Sequence, residues 1–196
     1  MSERCVMTKE DLIKIFEDTI VLCNTNQNLI NKIKNSQLYN WVTTDENEDV
    51  IRKKHIHERE REVRVIVSKK RSFEAAAFYR GKHVCVLNFA SATIPGGGVT
   101  KGASAQEECL CRISTLYECI STSEITDDFH KKHWVELKTG KMDSFYNDDC
   151  IYTCDVTVFK SDTENPVLLP EEEWFNVDVV SCAAPNLRYM SQHDKE

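Results

Sequence analysis

Residues 84–120 read Val84-Cys85-Val86-Leu87-Asn88-Phe89-Ala90-Ser91-Ala92-Thr93-Ile94-Pro95-Gly96-Gly97-Gly98-Val99-Thr100-Lys101-Gly102-Ala103-Ser104-Ala105-Gln106-Glu107-Glu108-Cys109-Leu110-Cys111-Arg112-Ile113-Ser114-Thr115-Leu116-Tyr117-Glu118-Cys119-Ile120. The order is strand, glycine loop, helix. Val84 to Leu87 form a continuous apolar run, which predicts a strand buried on both faces. Pro95 and the glycine triplet stop regular structure. Half of the 6 glycines in the chain fall in that triplet, so backbone freedom is concentrated there. Ser104 followed by Glu107 predicts a helix N-cap with a capping box. Leu110, Ile113, Leu116, Tyr117 and Ile120 recur at helical spacing and predict one helix with a buried stripe. Its N-terminus would offer free N–H groups and positive dipole to a ligand over the loop.

This is the general design of a phosphate site on an α/β scaffold, but not one of the widespread versions. The triplet does not match the dinucleotide fingerprint, and no Gly-Lys-Ser/Thr follows it. Gln106-Glu107-Glu108 stands seven residues beyond the triplet, on the predicted first turn. Acidic residues favour a first turn on dipole grounds alone, so the motif has a plain structural reading as well. Neighbours on a helix point roughly 100° apart, so Glu107 and Glu108 cannot both face one bond in the same way, which argues against a pair of carboxylates flanking it. One carboxylate acting twice fits better.

Composition sets the frame. With 196 residues, 41% hydrophobic and 29% charged, the chain is expected to form one soluble domain. A net charge of −7 disfavours general binding to bare nucleic acid. No membrane span or signal peptide is read, so a cytoplasmic or nucleocytoplasmic location is expected. The 9 cysteines are expected to be free thiols in a reducing compartment. Cys109-x-Cys111, Cys150-x3-Cys154 and His55-x-His57 do not make a recognisable metal set, and no metal or other cofactor is expected.

Along the chain, Thr8 with Lys9-Glu10-Asp11 predicts a capped first helix whose apolar face is Leu12, Ile15, Phe16, Thr19, Ile20 and Cys23. Asn24 to Asn28 ends it. Leu29, Ile30 and Ile33 predict a short second helix. Residues 43–62 are polar and read as a solvated segment. Val63, Val65 and Val67 alternate as a strand. Ser72 caps a helix through Tyr79, with Gly81 as its stop. Thr126 to Trp134 predicts a short helix with His130 and His133 on a partly exposed face. Ile151 to Phe159 predicts a strand with Tyr152, Cys154, Val156 and Val158 on one face, and Trp174 to Val180 a further strand.

Gly96-Gly97-Gly98, the spacer and Gln106-Glu107-Glu108, with Val86 to Ala92 before them, resemble the microbial type of poly(ADP-ribose) glycohydrolase. Ile151 to Phe159 and Val179 to Asn186 are similar to that family's next core segments, and Arg71 to Ala76 more loosely to its preceding helix. The likeness covers roughly residues 8–187. It implies an α/β, three-layer macrodomain-like mixed sheet. Residues 1–80 would be a helical extension with the first strand and helix, and residues 81–196 the glycohydrolase core of a single domain. The family's core continues past the segment matching Ala184-Pro185-Asn186, whereas Leu187 to Glu196 is all that follows here; the sheet is therefore expected to lack its C-terminal strands.

The resemblance further implies an enzyme that releases ADP-ribose from poly(ADP-ribose) or an ADP-ribosylated acceptor, on a protein or elsewhere. Glu108 would be the acid/base. Glu107 and Asn88 would hold ribose hydroxyls. Gly96, Gly97 and Gly98 would give backbone donors to the diphosphate, with Val99 and Gln106 completing the ligand-binding set. A non-catalytic ADP-ribose-binding module, or an inactive fragment, is the alternative.

Overall fold

The computed structural model describes residues 7–31, 33, 36–39 and 64–185. Helix α1 spans Lys9–Thr25 and opens on the expected cap. Asp11 N–H donates to Thr8 Oγ1 (3.2 Å) and Thr8 N–H to Asp11 Oδ2 (3.0 Å). A short α2, Gln27–Ile30, follows at once. Strand β1 is Ser36–Tyr39, a segment with no strand signal in the sequence. Helix α3 is Ser72–Ala76, extended by a 3-10 turn to Tyr79. Strand β2 is Cys85–Ala90, α4 is Gln106–Ile113 and α5 is Leu116–Ile120. Then come α6 (Ser123–Ile125), a wide π-turn (Thr126–Lys131) and α7 (Lys132–Lys138). Strands β3 (Cys150–Val158) and β4 (Phe175–Ala183) close the described chain.

The strands form one mixed sheet in the order β1-β3-β4-β2. β1 and β4 run antiparallel to β3, while β2 and β4 are parallel, with Asn88 opposite Ser181. A mixed α/β sheet is the class expected. The helices bury one face of it, in a core that includes Phe16, Val86, Leu110, Leu116, Phe129 and Val179.

The other face differs from expectation. Val86, Asn88 and Ala90 point to the helices, but Leu87 is 46% and Phe89 58% exposed. The strand was expected to be buried twice over; among the described residues β2 is an edge strand covered on one side only.

Three other local readings are corrected. Arg64–Val67 form no strand, and Val65 and Val67 are exposed, because no described strand pairs with them; Val63 lies outside the described residues. In β3 the pairing shifts between Thr153 and Val156 around Asp155, which takes φ 54°. The extra residue of this β-bulge reverses side-chain parity. Ile151 and Thr153 therefore point inward before it and Val156 and Val158 after it, instead of one face running through. His130 and His133 are buried, not on an exposed face. The wide turn brings both rings against Phe129, with centroids 5.0 and 4.2 Å away. Burial pushes His130 down to about 4. The Ser91 and Ala92 backbone lies near its ring, but neither ring nitrogen makes a hydrogen bond of normal geometry among the described residues.

The predicted helix from Ser104 to Ile120 is two helices. Ser114 is extended (φ −148°, ψ 176°) and forms a bridge to Val158 at the end of β3. Its hydroxyl donates to Leu110 O (2.8 Å) and accepts from Leu116 N–H (3.2 Å), so it closes one helix and opens the next. Thr115 N–H donates to Thr157 O and Thr157 N–H to Thr115 Oγ1, which ties this break to the sheet.

Candidate active site

The site lies at the C-terminal end of β2, where the glycine loop folds over the first turn of α4. Ala105, not Ser104, is the N-cap of α4, and no side chain caps it. The predicted capping box fails because Glu107 turns the other way: its Oε2 accepts from Ser91 N–H at 2.8 Å. Its Oε1 lies 3.5 Å from Asn88 Nδ2. Both glutamates are buried, at 3% and 7% exposure, which is unusual for carboxylates and marks a built environment. Burial raises Glu107 to about 7, against the pull of the Ser91 and Gly96 N–H groups and the Asn88 amide; the nearby Glu108 adds to the rise.

Glu108 is held at one oxygen. Its Oε1 accepts from Gly98 N–H at 2.8 Å, and its Oε2 is buried with no partner among the described residues. Asn88 is held likewise. Its Nδ2 donates to Ser181 Oγ on β4 (3.0 Å), and its Oδ1 is buried and unpartnered. Two buried acceptors without donors thus sit in one site. A ligand rich in hydroxyls would satisfy both.

The loop conformation needs glycine. Gly96 and Gly97 have φ 64° and 58°, the left-handed region. A Cβ on Gly97 would stand 2.7 Å from Glu108 Oε1 and 3.1 Å from Glu107 Oε2, and one on Gly96 would meet the Tyr117 ring at 2.7 Å. The triplet was expected to offer its N–H groups outward. Instead Gly97 N–H donates to Ile94 O (3.0 Å) and Gly98 N–H to Glu108. Gly98 O then accepts from Lys101 N–H (2.9 Å) and Ala103 N–H (3.1 Å). Arg112, itself buried, reaches Ala103 O with Nη2. Beyond this, Gly102 (φ 71°) lies on α1: a Cβ there would be 2.6 Å from Lys9 O.

Asn88, the glycine triplet, Glu107 and Glu108 are therefore brought together. Two expected ligand contacts are placed differently. The Val99 side chain is 0% exposed and belongs to the core, so it offers no stacking surface. Gln106 faces β2: Phe89 N–H donates to its Oε1 (2.8 Å), and its Nε2 donates to Leu87 O (2.7 Å) and Ser72 Oγ (3.1 Å). Ser91, Ser181 and Arg112 went unseen in the sequence, since their contacts join segments whose spacing carries no signal. Among the described residues no group of His, Cys, Asp and Glu is arranged to hold a metal, and no helix is long and apolar enough to cross a membrane.

A family model described as microbial-type PARG, catalytic domain, matches residues 16–161. The chain belongs to this family. Among solved structures it is similar to poly(ADP-ribose) glycohydrolase from Thermomonospora curvata bound to the inhibitor ADP-HPD, with 26% identity, 94% of this chain and 66% of that one covered, and a TM-score of 0.67. The T. curvata protein described without that inhibitor gives a TM-score of 0.70 over 68% of its chain. A structure of the enzyme from Deinococcus radiodurans in complex with ADP-ribose shows 28% identity and a TM-score of 0.59, over 77% of this chain and 55% of that one. The microbial-type PARG chain described here thus spans about two thirds or less of the length of these structures. No curated protein matches it.

Proposed function

We propose that this chain is an ADP-ribosyl glycohydrolase, hydrolysing the ribose glycosidic bond of poly(ADP-ribose) or of an ADP-ribosylated acceptor, with Glu108 as the single acid/base. The observation that carries this reading is the divided carboxylate of Glu108: Oε1 fixed by Gly98 N–H, Oε2 buried and without a partner. A general acid must hold one oxygen still and keep the other for the reaction. In the reading proposed, protonated Oε2 gives its proton to the leaving oxygen at the anomeric carbon. The ribose takes on oxocarbenium character, and the same oxygen then accepts a proton from the attacking water. Family membership and the ADP-ribose and ADP-HPD complexes of the similar structures support the substrate class.

Glu107 Oε1 and Asn88 Oδ1 are the acceptors placed to take ribose hydroxyls in this reading. The glycine loop acts first on the protein: it aims the catalytic carboxylate and excludes any side chain from the space over it. The test is release of ADP-ribose from poly(ADP-ribose) by the wild type and by Glu108→Gln. Release by the wild type alone is expected. Binding of ADP-ribose with no release by either protein would overturn the enzyme reading in favour of a binding module, and equal release by both would move the chemistry off Glu108.

A further inference from the structure

Gln106 is the motif residue that the mechanism does not use. Its amide has two N–H donors, and both are engaged, one by Leu87 O (2.7 Å) and one by Ser72 Oγ (3.1 Å). Its oxygen takes Phe89 N–H (2.8 Å). Leu87 and Phe89 are the two neighbours of Asn88 on β2. Their outward backbone groups face away from β4, and among the described residues no strand lies on that side. The amide of Gln106 therefore occupies the hydrogen-bonding position that a neighbouring strand would fill, across the very peptide groups that flank Asn88.

We propose that Gln106 is a positioning residue that sets Asn88 against Glu107 and Glu108, and not a ligand contact. This rests on the reading of the site given above. Gln106 precedes Glu107 and Glu108 on the same turn of α4, so its grip on β2 fixes the separation of strand and helix at the point where their functional side chains meet. Ser181 Oγ on β4 accepts from the Asn88 amide, whose Nδ2 also lies 3.5 Å from Glu107 Oε1, while Asn88 Oδ1 is buried with no partner among the described residues. With no N–H free, Gln106 has nothing to donate to a hydroxyl or phosphate without releasing β2. Its reach also explains why the residue is glutamine: the amide must accept and donate at once, which glutamate at neutral pH does not do.

Two measurements test this. The first is amide hydrogen exchange on the free protein, which needs no ligand. Phe89 N–H is expected to be protected in the wild type and to lose about tenfold protection in Gln106→Met, while Asn88 and Ala90 hold theirs. A Phe89 amide that exchanges freely in the wild type overturns the proposal, and this arm stands even if the variant does not fold. The second is a double-mutant cycle on ADP-ribose affinity. Gln106→Met is expected to weaken binding about three- to tenfold in the wild type and by less than about twofold in an Asn88→Ala background, because Gln106 acts through Asn88. An equal loss in both backgrounds overturns the proposal in favour of a direct contact or a general loss of structure. If the wild type binds no ADP-ribose, the functional reading fails, and the exchange arm still decides whether Gln106 clamps β2.

Discussion

Gly98 N–H holds Oε1 of Glu108 at 2.8 Å, so the backbone of the glycine loop orients the carboxylate on which the chemistry is proposed to run. Removing the ionisable oxygen while keeping the shape is therefore the most informative change. Glu108→Gln is expected to lower kcat for ADP-ribose release by about 10²- to 10⁴-fold, the usual contribution of a general acid/base. Affinity for ADP-ribose should change little. Steady-state kinetics beside calorimetric binding reads both, and an affinity loss as large as the rate loss would contradict the assignment.

Gly97→Ala separates backbone strain from site geometry. At φ 58° an alanine costs about 1–2 kcal/mol, and its Cβ would press on Glu108 Oε1 and Glu107 Oε2. Gly81→Ala and Gly140→Ala carry a similar strain into open space. All three should lower Tm, with Gly97→Ala lowest, and Gly97→Ala alone should lose about 100-fold in activity. Equal activity in the three variants would show that the carboxylates adapt freely.

Glu107 makes stability depend on pH with a definite sign. Its pKa is raised from 4.5 to about 7 in the folded state, chiefly by burial. The folded protein thus holds this proton more tightly than the unfolded chain. The contribution is fully present below pH 4.5 and is lost as pH rises through 7, to the extent of about 3 kcal/mol. Chemical denaturation from pH 4.5 to 8 should show the wild type losing that much relative to Glu107→Gln. Parallel curves for the two proteins would exclude the raised pKa.

His130 acts in the opposite sense. Burial lowers it from 6.5 to about 4, so its contribution is present above pH 6.5 and is lost as pH falls through 4. Replacing it by Phe, which suits the apolar contact with Phe129, should flatten the acid limb of the stability profile between pH 6.5 and 4, by about 3 kcal/mol at most. An unchanged acid limb would place the acid sensitivity elsewhere.

Much of the fold was legible where it was local. The Thr8 cap, the strand–loop–helix order and the need for glycine at the triplet follow from neighbours in sequence. What was not legible depends on partners far along the chain. Ser104 and Glu107 satisfy the capping-box pattern, yet Ser91 N–H captures the glutamate. Ser114 sits inside a helical apolar stripe, yet the end of β3 offers it a bridge. The alternation in β3 is real, but one inserted residue at Asp155 turns it over. At the site, Glu107 and Glu108 were singled out by the family resemblance of their motif, and the structure buries both. The engagement of Gln106 with β2 and of Ser181 with Asn88 could not, because these contacts exist only once two elements have docked.

Gly102 rests against the backbone of Lys9, and Gly98, which aims Glu108, is hydrogen-bonded to the residues on either side of Gly102. The start of α1 and the glycine loop are thus fitted to each other with no room for a methyl group between them. A larger residue at 102 would have to be answered by a re-seated helix or a shifted loop, and the bonds of Lys101 and Ala103 to Gly98 O would carry a loop shift to the residue that holds Glu108. The first helix and the glycine loop form one steric unit, and a protein rebuilt by joining the core to a foreign N-terminus would have to reproduce that seat to keep Glu108 where Gly98 holds it.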